Sequence, residues 1–275
     1  RTLTTNYAIP FASLRVLGIM TNTPAVDAYR GAGRPEANYV MERLMDHIAE
    51  HVGIDRVEVR RRNLIRADQI PFTMVCGGTV DGGEMPELME AALSRADMAG
   101  FASRRAESER KGRLRGFGFG MYLEQCGGGT DGGVDVRFRE DGTILVLAAQ
   151  QENGQGHRTT LTQILSDRLG FDADKIEIFQ GDSAITPPGT TGGARMTPIL
   201  GSAVAEVAVK TIHTARPYAA EALECAEEEV IFADGVFSSA NTNHSITIED
   251  LALRLVPDNG AHPFDIKHQY ETDGA

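Results

Sequence analysis

The sequence is poor in cysteine, in clustered basic residues and in long apolar runs. Its three cysteines, Cys76, Cys126 and Cys225, lie far apart in 275 residues and form no C-x-x-C pair. They therefore provide no disulfide framework and no cysteine set for a zinc or iron–sulfur site, and a reducing, cytoplasmic compartment is expected. No apolar run approaches the roughly 20 residues needed to cross a bilayer, so we expect no membrane span and no signal peptide.

Positive charge is also scarce. The chain has 27 Lys and Arg against 39 Asp and Glu, which gives a formal net charge of −12. Because neutralising nucleic-acid phosphates requires clustered Lys and Arg, nucleic acid is not an expected partner. The short basic runs Arg60–Arg62 and Arg104–Arg105 are expected to lie on solvated helix faces.

The first part of the chain has helical spacing. With 275 residues and 41% hydrophobic content, the chain is long enough for one large or two ordinary domains. A helix is predicted from Pro35 to about Val52, followed by helices over residues 55–63 and 84–99. The first helix has one apolar stripe, formed by Val40, Met41, Leu44, Met45 and Ile48. The charged stretch 103–113 predicts a linker between two domains.

Beyond this stretch the hydrophobic period changes to two. Strands are predicted over residues 114–125, 133–139, 143–150 and 176–179, with a helix over 158–169. Thr197 and Pro198 predict the start of a long helix that Pro217 should bend or break. Strands and helices do not alternate regularly, so the predicted fold class is α+β, with mixed sheets and packed helices. The predicted domains are residues 1–105 and 106–275.

Three glycine-rich loops lead directly into predicted helices. They are residues 28–36, reading AYRGAGRPE, residues 152–159, reading ENGQGHRT, and residues 190–197, reading TTGGARMT. Free N–H groups at a helix start, with arginine or amide side chains nearby, favour an anionic or polar ligand. One such loop can equally be an ordinary glycine turn, but three indicate one extended ligand with several polar groups. No P-loop and no correctly spaced G-x-G-x-x-G is present, which disfavours a common nucleotide site.

Histidines at two places in the sequence are candidate metal ligands. His157 follows the second loop at a helix start, where a cation is disfavoured, so we predict a neutral hydrogen-bonding role in preference to metal ligation. His47, Glu50 and His51 form an H-x-x-E-H pattern, which is typical of one class of zinc peptidase. The alternative interpretation is two histidines beside a core stripe, and the sequence offers no clear third ligand.

Taken together, the motifs AYRGAGRPEA and GQGHRTTLTQ and the segment 181–197 have the order and spacing found in molybdenum hydroxylases. The chain resembles the large, molybdopterin-binding subunit of the xanthine dehydrogenase, aldehyde oxidase and aerobic carbon monoxide dehydrogenase family. The resemblance covers nearly the whole chain and implies a central fragment. Residues 1–105 would end one molybdopterin-binding domain, and residues 106–275 would begin the next. The implied cofactor is molybdenum-carrying molybdopterin, in its cytosine dinucleotide form.

The resemblance also implies roles for individual residues. Arg30, Gly31 and Ala32 would bind the cofactor and line the substrate side of the metal, with Arg30 as the catalytic-site residue. The other cofactor-binding residues would be Gly154, Gln155, Gly156, His157, Thr159, Gly193, Ala194, Arg195, Met196 and Thr197. The family usually has a Gly-Ser-Arg-Ser type of string at the last loop. Ala194 and Met196 therefore remove two hydroxyl donors from it.

Departures from the family pattern narrow the implied activity. Gly31 stands where carbon monoxide dehydrogenases have the cysteine that holds copper, so copper-dependent CO oxidation is not expected. Ala32 stands where purine-oxidising members have a stacking phenylalanine. The implied reaction is hydroxylation of an electron-poor carbon in a small molecule, an aldehyde or an N-heterocycle, with water as the oxygen source.

Other parts of the implied enzyme are missing from this sequence. The family's base is a glutamate in a Gly-Glu motif near the C-terminus of the full subunit, and its early Gly-Phe-Gly cofactor loop is expected upstream of Arg1. Neither is found in this sequence, so this fragment alone is expected to be inactive. Electrons would leave through an iron–sulfur subunit and an FAD subunit of the same complex. A zinc metallohydrolase built on His47, Glu50 and His51, or a non-catalytic truncated scaffold module, remains as an alternative.

Overall fold

A computed structural model describes residues 3–27, 29–124, 132–241, 243–255 and 260–270. The chain divides into two compact units between residues 124 and 125. The predicted domain boundary between residues 105 and 106 stays a prediction. The charged stretch 103–113, predicted as a linker, is largely helical, because a helix runs over Phe101–Arg110.

The first unit is mostly helical. Its elements are α1 (Arg34–Val52), α2 (Arg56–Asn63), β1 (Phe72–Thr73), β2 (Thr79–Val80), α3 (Met85–Arg95) and α4 (Phe101–Arg110), with β1 and β2 antiparallel. Local signals explain several boundaries. The Asp55 side chain accepts hydrogen bonds from two backbone N–H groups of the first turn of α2, and Gly53 ends α1 in a left-handed conformation. The first two predicted helices are confirmed in position, and the third is confirmed over a shorter range.

The apolar stripe of α1 is split between two faces. Met41 and Met45 are buried together with α2 and α3, whereas Val40, Leu44 and Ile48 are exposed. The prediction of one buried stripe was therefore too broad. Residues one position apart differ by about 100° around a helix, and the described core covers only one of these directions.

A charged network lies inside the first unit. Arg60 is fully buried, and its Nε donates to Glu42 Oε2 at 2.8 Å, while its Nη2 lies 3.0 Å from Asp46 Oδ1. The Tyr7 hydroxyl donates to the other oxygen of Glu42 at 2.6 Å, and burial, reinforced by this hydrogen bond, raises the pKa of Tyr7. The prediction of a solvated face was wrong for Arg60. Its partner carboxylate is 18 residues upstream, outside the local spacing on which the prediction relied.

Residues 114–124 follow α4 without belonging to a strand. The prediction of a strand over 114–125 was therefore wrong for the described part, and Gln125 lies outside the described residues. Phe117 and Phe119 stack on each other, with the guanidinium carbons of Arg56 and Arg60 at 5.9 and 5.1 Å from their ring centres. Side-chain packing, and not a β ladder, thus produced the alternating pattern.

The described residues of the second unit form two sheets. Its elements are β3 (Gly132–Phe138), β4 (Ile144–Ala148), α5 (His157–Leu169), β5 (Ile176–Gln180), α6 (Ser202–Leu223), β6 (Val230–Ala233), β7 (Val236–Ser239), β8 (Ser245–Thr247), α7 (Ile248–Arg254) and β9 (Ile266–Tyr270). The larger sheet has the order β5-β4-β3-β9, in which only the β4–β5 pair is parallel, and the smaller is an antiparallel β6-β7-β8 sheet. The predicted strands at 133–139, 143–150 and 176–179 are confirmed. Mixed sheets with packed helices confirm the α+β class.

Helices α5 and α6 share one core with the larger sheet. The predicted break at Pro217 does not occur, since α6 continues to Leu223. Ala215 and Ala219 are both buried, so tertiary packing on either side of the proline outweighs its penalty of about 3 kcal/mol. Thr197 is also not an N-cap, because a π-helical turn over Met196–Gly201 precedes α6.

Candidate functional site

The first glycine loop is a tight turn that opens α1. Gly31, Ala32 and Gly33 have φ values of 92°, 44° and 92°, all in the left-handed region. Such a backbone is uncommon for alanine, and strained conformations of this kind cluster at functional sites. Pro35 occupies the first helical turn, where its missing N–H removes no hydrogen bond. Ala28, at the start of the motif, lies outside the described residues.

Only glycine fits at position 31 in this turn. A Cβ atom there would lie 2.6 Å from Pro35 Cδ, whereas a Cβ at Gly33 would meet nothing within 4 Å. The same clash would affect a cysteine at position 31. Arg30 and Ala32 are exposed, so their side chains are accessible to a ligand on the open side of the turn.

Three side chains, those of Arg34, Tyr122 and Glu124, form a cluster beside this turn. Arg34 Nη1 lies 3.1 Å from Glu124 Oε1, and the same nitrogen is 3.4 Å from the carbonyl oxygen of Gly31. The Tyr122 hydroxyl donates to Glu124 Oε2, and this hydrogen bond raises the pKa of Tyr122. Sequence reasoning missed the cluster, because 90 residues separate Arg34 from Glu124 and no local pattern connects them.

The second loop runs from β4 into α5. Gly154 and Gly156 are left-handed, with open space around both Cα atoms. The N–H groups of this helix start were expected to be free, and this expectation was wrong in part. The Glu152 carboxylate accepts from Gly156 N at 2.9 Å and from Arg158 N at 3.3 Å. The chain's own anion therefore occupies part of the predicted anion site, and a ligand would compete with it.

His157 is the buried polar residue of the second loop. It is only 4% exposed, and its Nδ1 has no hydrogen-bond partner among the described residues. Burial lowers the pKa of His157, although the charge of Glu152 acts in the opposite direction. The ring is therefore mainly neutral at pH 7, and its hydrogen-bonding role stays a prediction. A buried nitrogen without a partner marks a place for a ligand atom or an ordered water.

The third loop lies against the second. Thr191 Oγ1 donates to the carbonyl oxygen of Gln151 at 2.7 Å. Gly189, just before the third loop, packs so closely on Ala149, just after β4, that a Cβ there would lie 2.7 Å from Ala149 Cβ. A cleft of about 230 Å³ opens beside this junction and is lined by Gln151, Ser183 and residues 186–189. The structure therefore brings two of the three predicted loops together within one unit.

Individual residues of the third loop differ in accessibility. Gly193 and Ala194 are left-handed, with φ values of 62° and 53°, so this loop repeats the strained alanine of the first. Arg195 is half-buried and donates to the Thr190 hydroxyl. Met196 is buried in the core under the loop, whereas Thr197 is exposed. Met196 can therefore offer a ligand only its backbone.

Gln155 and Thr159 complete the predicted set, and both are exposed. The Gln155 side-chain oxygen accepts from the backbone N–H of Asn153, which leaves its NH₂ group on the accessible side of the loop.

A larger cleft of the second unit lies elsewhere. It has a volume of about 640 Å³ and covers the outer face of β3 and β9. Asp135 is buried there, with Arg137 Nη2 at 2.7 Å and Lys267 Nζ at 3.6 Å from the same carboxylate oxygen. Arg137, on the same strand as Asp135, and Lys267, on β9, are thus both paired with this carboxylate, and the cleft is a less suitable anion site than its size indicates.

The zinc hypothesis gains no support from the geometry. His47 Nδ1 lies 4.0 Å from Glu50 Oε2, and both side chains are mainly exposed. Among the described residues, no group of three or more His, Cys, Asp or Glu side chains is placed to hold a metal ion. No described helix is long and apolar enough to cross a membrane.

Comparison with protein-family models shows which family the chain belongs to. A model of the molybdopterin cofactor-binding domain matches residues 91–274, and a second model of the same description matches residues 1–64. The chain belongs to the molybdopterin cofactor-binding domain family, a family of oxidoreductases, and its resemblance to molybdenum hydroxylase large subunits is confirmed.

Individual relatives agree with this assignment. The chain is 32% identical to the carbon monoxide dehydrogenase large chain of Hydrogenophaga pseudoflava, over 97% of this chain and 36% of that protein. It is 29% identical to the nicotine 6-hydroxylase large subunit of Paenarthrobacter nicotinovorans, over 94% and 33%. The solved structure of reconstituted CO dehydrogenase from Oligotropha carboxidovorans matches with a TM-score of 0.76 and 26% identity, covering 89% of this chain and 33% of that one. The chain spans about a third of the length of these relatives.

Proposed function

We propose that this chain is the central, cofactor-binding part of a molybdenum hydroxylase large subunit. The observation that carries the proposal is the junction of the second and third loops. The second loop has open left-handed glycines and the buried His157, whose Nδ1 has no hydrogen-bond partner among the described residues, and the third loop adds the Arg195 side chain. These features suit a long polyanionic ligand, so the residues present fit molybdopterin. Residues 1–105 and 106–275 would be the parts of two molybdopterin-binding domains.

The cofactor would be held mainly by backbone groups. The proposed contacts in the second unit are Gly154, Gln155, Gly156, His157, Thr159, Gly193, Ala194, Arg195, Met196 and Thr197. Gln155 and Arg195 would donate side-chain hydrogen bonds, and the other loop residues would allow close approach. The number of loops involved favours the longer cytosine dinucleotide form. When bound, the cofactor supplies a molybdenum centre that accepts two electrons from the substrate.

The proposed reaction converts R–H and water into R–OH, two protons and two electrons. R–H is an aldehyde or an N-heterocycle, and Arg30, Gly31 and Ala32 would line its side of the site. The small Ala32 side chain leaves no aromatic ring at this position for a stacked purine. We propose that copper is not involved, because a cysteine at position 31 would clash with Pro35 in this turn.

The two electrons require acceptors outside this chain. We propose an iron–sulfur subunit and an FAD subunit in a cytoplasmic complex, in line with relatives that are named as large chains or as subunits of a complex. This segment alone would be inactive, since no residue in it matches the family's base.

An isotope experiment tests the proposed reaction. The full-length protein containing this chain would be purified with its partner subunits and incubated with aldehydes and N-heterocycles in ¹⁸O-labelled water. We expect one labelled oxygen in the product from a preparation that contains molybdenum and no copper. Label that enters only from ¹⁸O₂, or CO oxidation that depends on bound copper, would overturn the proposal.

A further inference from the structure

We propose that Glu124 is a positioning residue for the substrate side of the site. Its carboxylate connects Arg34 and Tyr122 and thereby holds the turn of residues 31–33 in the conformation that presents Arg30. The part of this inference that concerns substrate rests on the proposed function, whereas the part that concerns the turn does not.

Both partners of Glu124 lie next to Gly31. Arg34 Nη1 connects Glu124 Oε1, at 3.1 Å, to the Gly31 carbonyl oxygen, at 3.4 Å. The Tyr122 hydroxyl, which donates to the other Glu124 oxygen, lies 3.4 Å from the position that a Cβ of Gly31 would take. One carboxylate therefore holds Arg34 against the Gly31 carbonyl oxygen and holds the Tyr122 hydroxyl beside the Cα of Gly31.

The turn needs such support. Three consecutive left-handed residues, one of them an alanine, persist only where their surroundings hold them. Within the turn, Ala32 N donates to Tyr29 O at 2.6 Å and Arg34 N donates to Gly31 O at 3.0 Å. The Arg34–Glu124 pair is better placed to help than a surface pair, because its side chains are only 20% and 28% exposed and are screened less by solvent.

The position of Arg30 depends on this turn. Arg30 is bonded to Gly31 and has an exposed side chain, so its direction follows from the backbone of the turn. A displacement of about 1 Å at a substrate-positioning group costs about a hundredfold in rate. Loss of Glu124 should therefore reduce turnover without removing any group that contacts the substrate.

Hydrogen exchange tests the effect on the turn. In the full-length protein with its partners, we expect Glu124→Ala to accelerate amide exchange at Ala32 and Arg34 at least about tenfold. Glu124→Gln should have a smaller effect, because the amide oxygen can still accept from Arg34 while the NH₂ group donates to the Tyr122 hydroxyl oxygen. The control is Glu109→Ala, which removes an exposed carboxylate that lies 3.1 Å from Arg105 on α4. This control should leave exchange in the turn unchanged.

Kinetics test the effect on the reaction. Glu124→Ala should lower kcat/KM about tenfold to a hundredfold with unchanged molybdenum per protein, and Glu124→Gln should recover part of the loss. Wild-type exchange rates in Glu124→Ala would overturn the inference. So would a change in exchange with wild-type kcat/KM, or an activity loss explained by lost molybdenum. If the wild-type complex holds no molybdenum, the proposed function fails, and the exchange data still decide the role of Glu124 in the turn.

Discussion

Position 31 allows a sharp test of the first loop, because the chain contains its own control. Gly31 and Gly33 both have φ of 92°, so an alanine at either position meets the same unfavourable backbone. They differ in the space around the position that a Cβ would take. A Cβ at Gly31 would lie 2.6 Å from Pro35 Cδ and 2.8 Å from Pro35 Cγ, and a Cβ at Gly33 would lie in the open.

The expected magnitudes follow from this difference. The left-handed conformation costs an L-residue about 1–2 kcal/mol, and the lower entropy of the unfolded chain returns about 0.4–1 kcal/mol for either alanine. Gly33→Ala should therefore reduce the free energy of unfolding by about 1 kcal/mol. Gly31→Ala should add an overpacking penalty of about 1–3 kcal/mol, for a total of about 2–4 kcal/mol.

Urea unfolding of the chain, followed by far-UV circular dichroism, measures both values. The account requires a lower unfolding midpoint for Gly31→Ala than for Gly33→Ala, with similar slopes. Equal midpoints would refute the claim that Pro35 excludes a side chain at position 31. They would also remove the structural argument against a copper-binding cysteine there.

Three further predictions concern the two cores. Glu42→Ala should destabilise the first unit by about 3–5 kcal/mol in urea unfolding, because it leaves the buried Arg60 without its main partner; a loss below about 1 kcal/mol would contradict this. Because burial lowers the pKa of His157, the folded state binds fewer protons than the unfolded state below pH about 6.5. Stability should thus fall as pH drops from about 6.5 towards the folded pKa, and His157→Gln should flatten this dependence of Tm on pH; an unchanged slope would refute it. Gly170→Ala should lower the free energy of unfolding by at least about 3 kcal/mol, because the new Cβ would overlap the backbone of Gly235. A Tm within about 2 °C of wild type, which is the shift expected of a minor surface change, would contradict that packing.

Features encoded by neighbouring residues could be predicted from the sequence. The helix starts capped by Asp55 and Thr247, the Asp141-Gly142 hairpin and the two glycine loops of the second unit all depend on contacts within a few residues. The capping of the start of α5 by Glu152 is also a contact between near neighbours in the sequence. A glutamate four residues before Gly156 was a local signal that could have identified it.

Features that depend on distant residues could not be predicted in this way. The burial of Arg60 requires Glu42 on another helix, and the support of the first turn requires Glu124, far along the chain. The segment 114–124 alternates like a strand because Phe117 and Phe119 pack on arginines of α2. In each case tertiary packing, which has no period in the sequence, determined the outcome.

The central claim is that the glycine loops of this chain hold a molybdenum-carrying pterin. The most direct test is the molybdenum and pterin content of the full-length protein, purified with its partner subunits. The account predicts near one molybdenum and one pterin per copy, with a cytidine nucleotide released on hydrolysis. A folded complex with neither molybdenum nor pterin would contradict it.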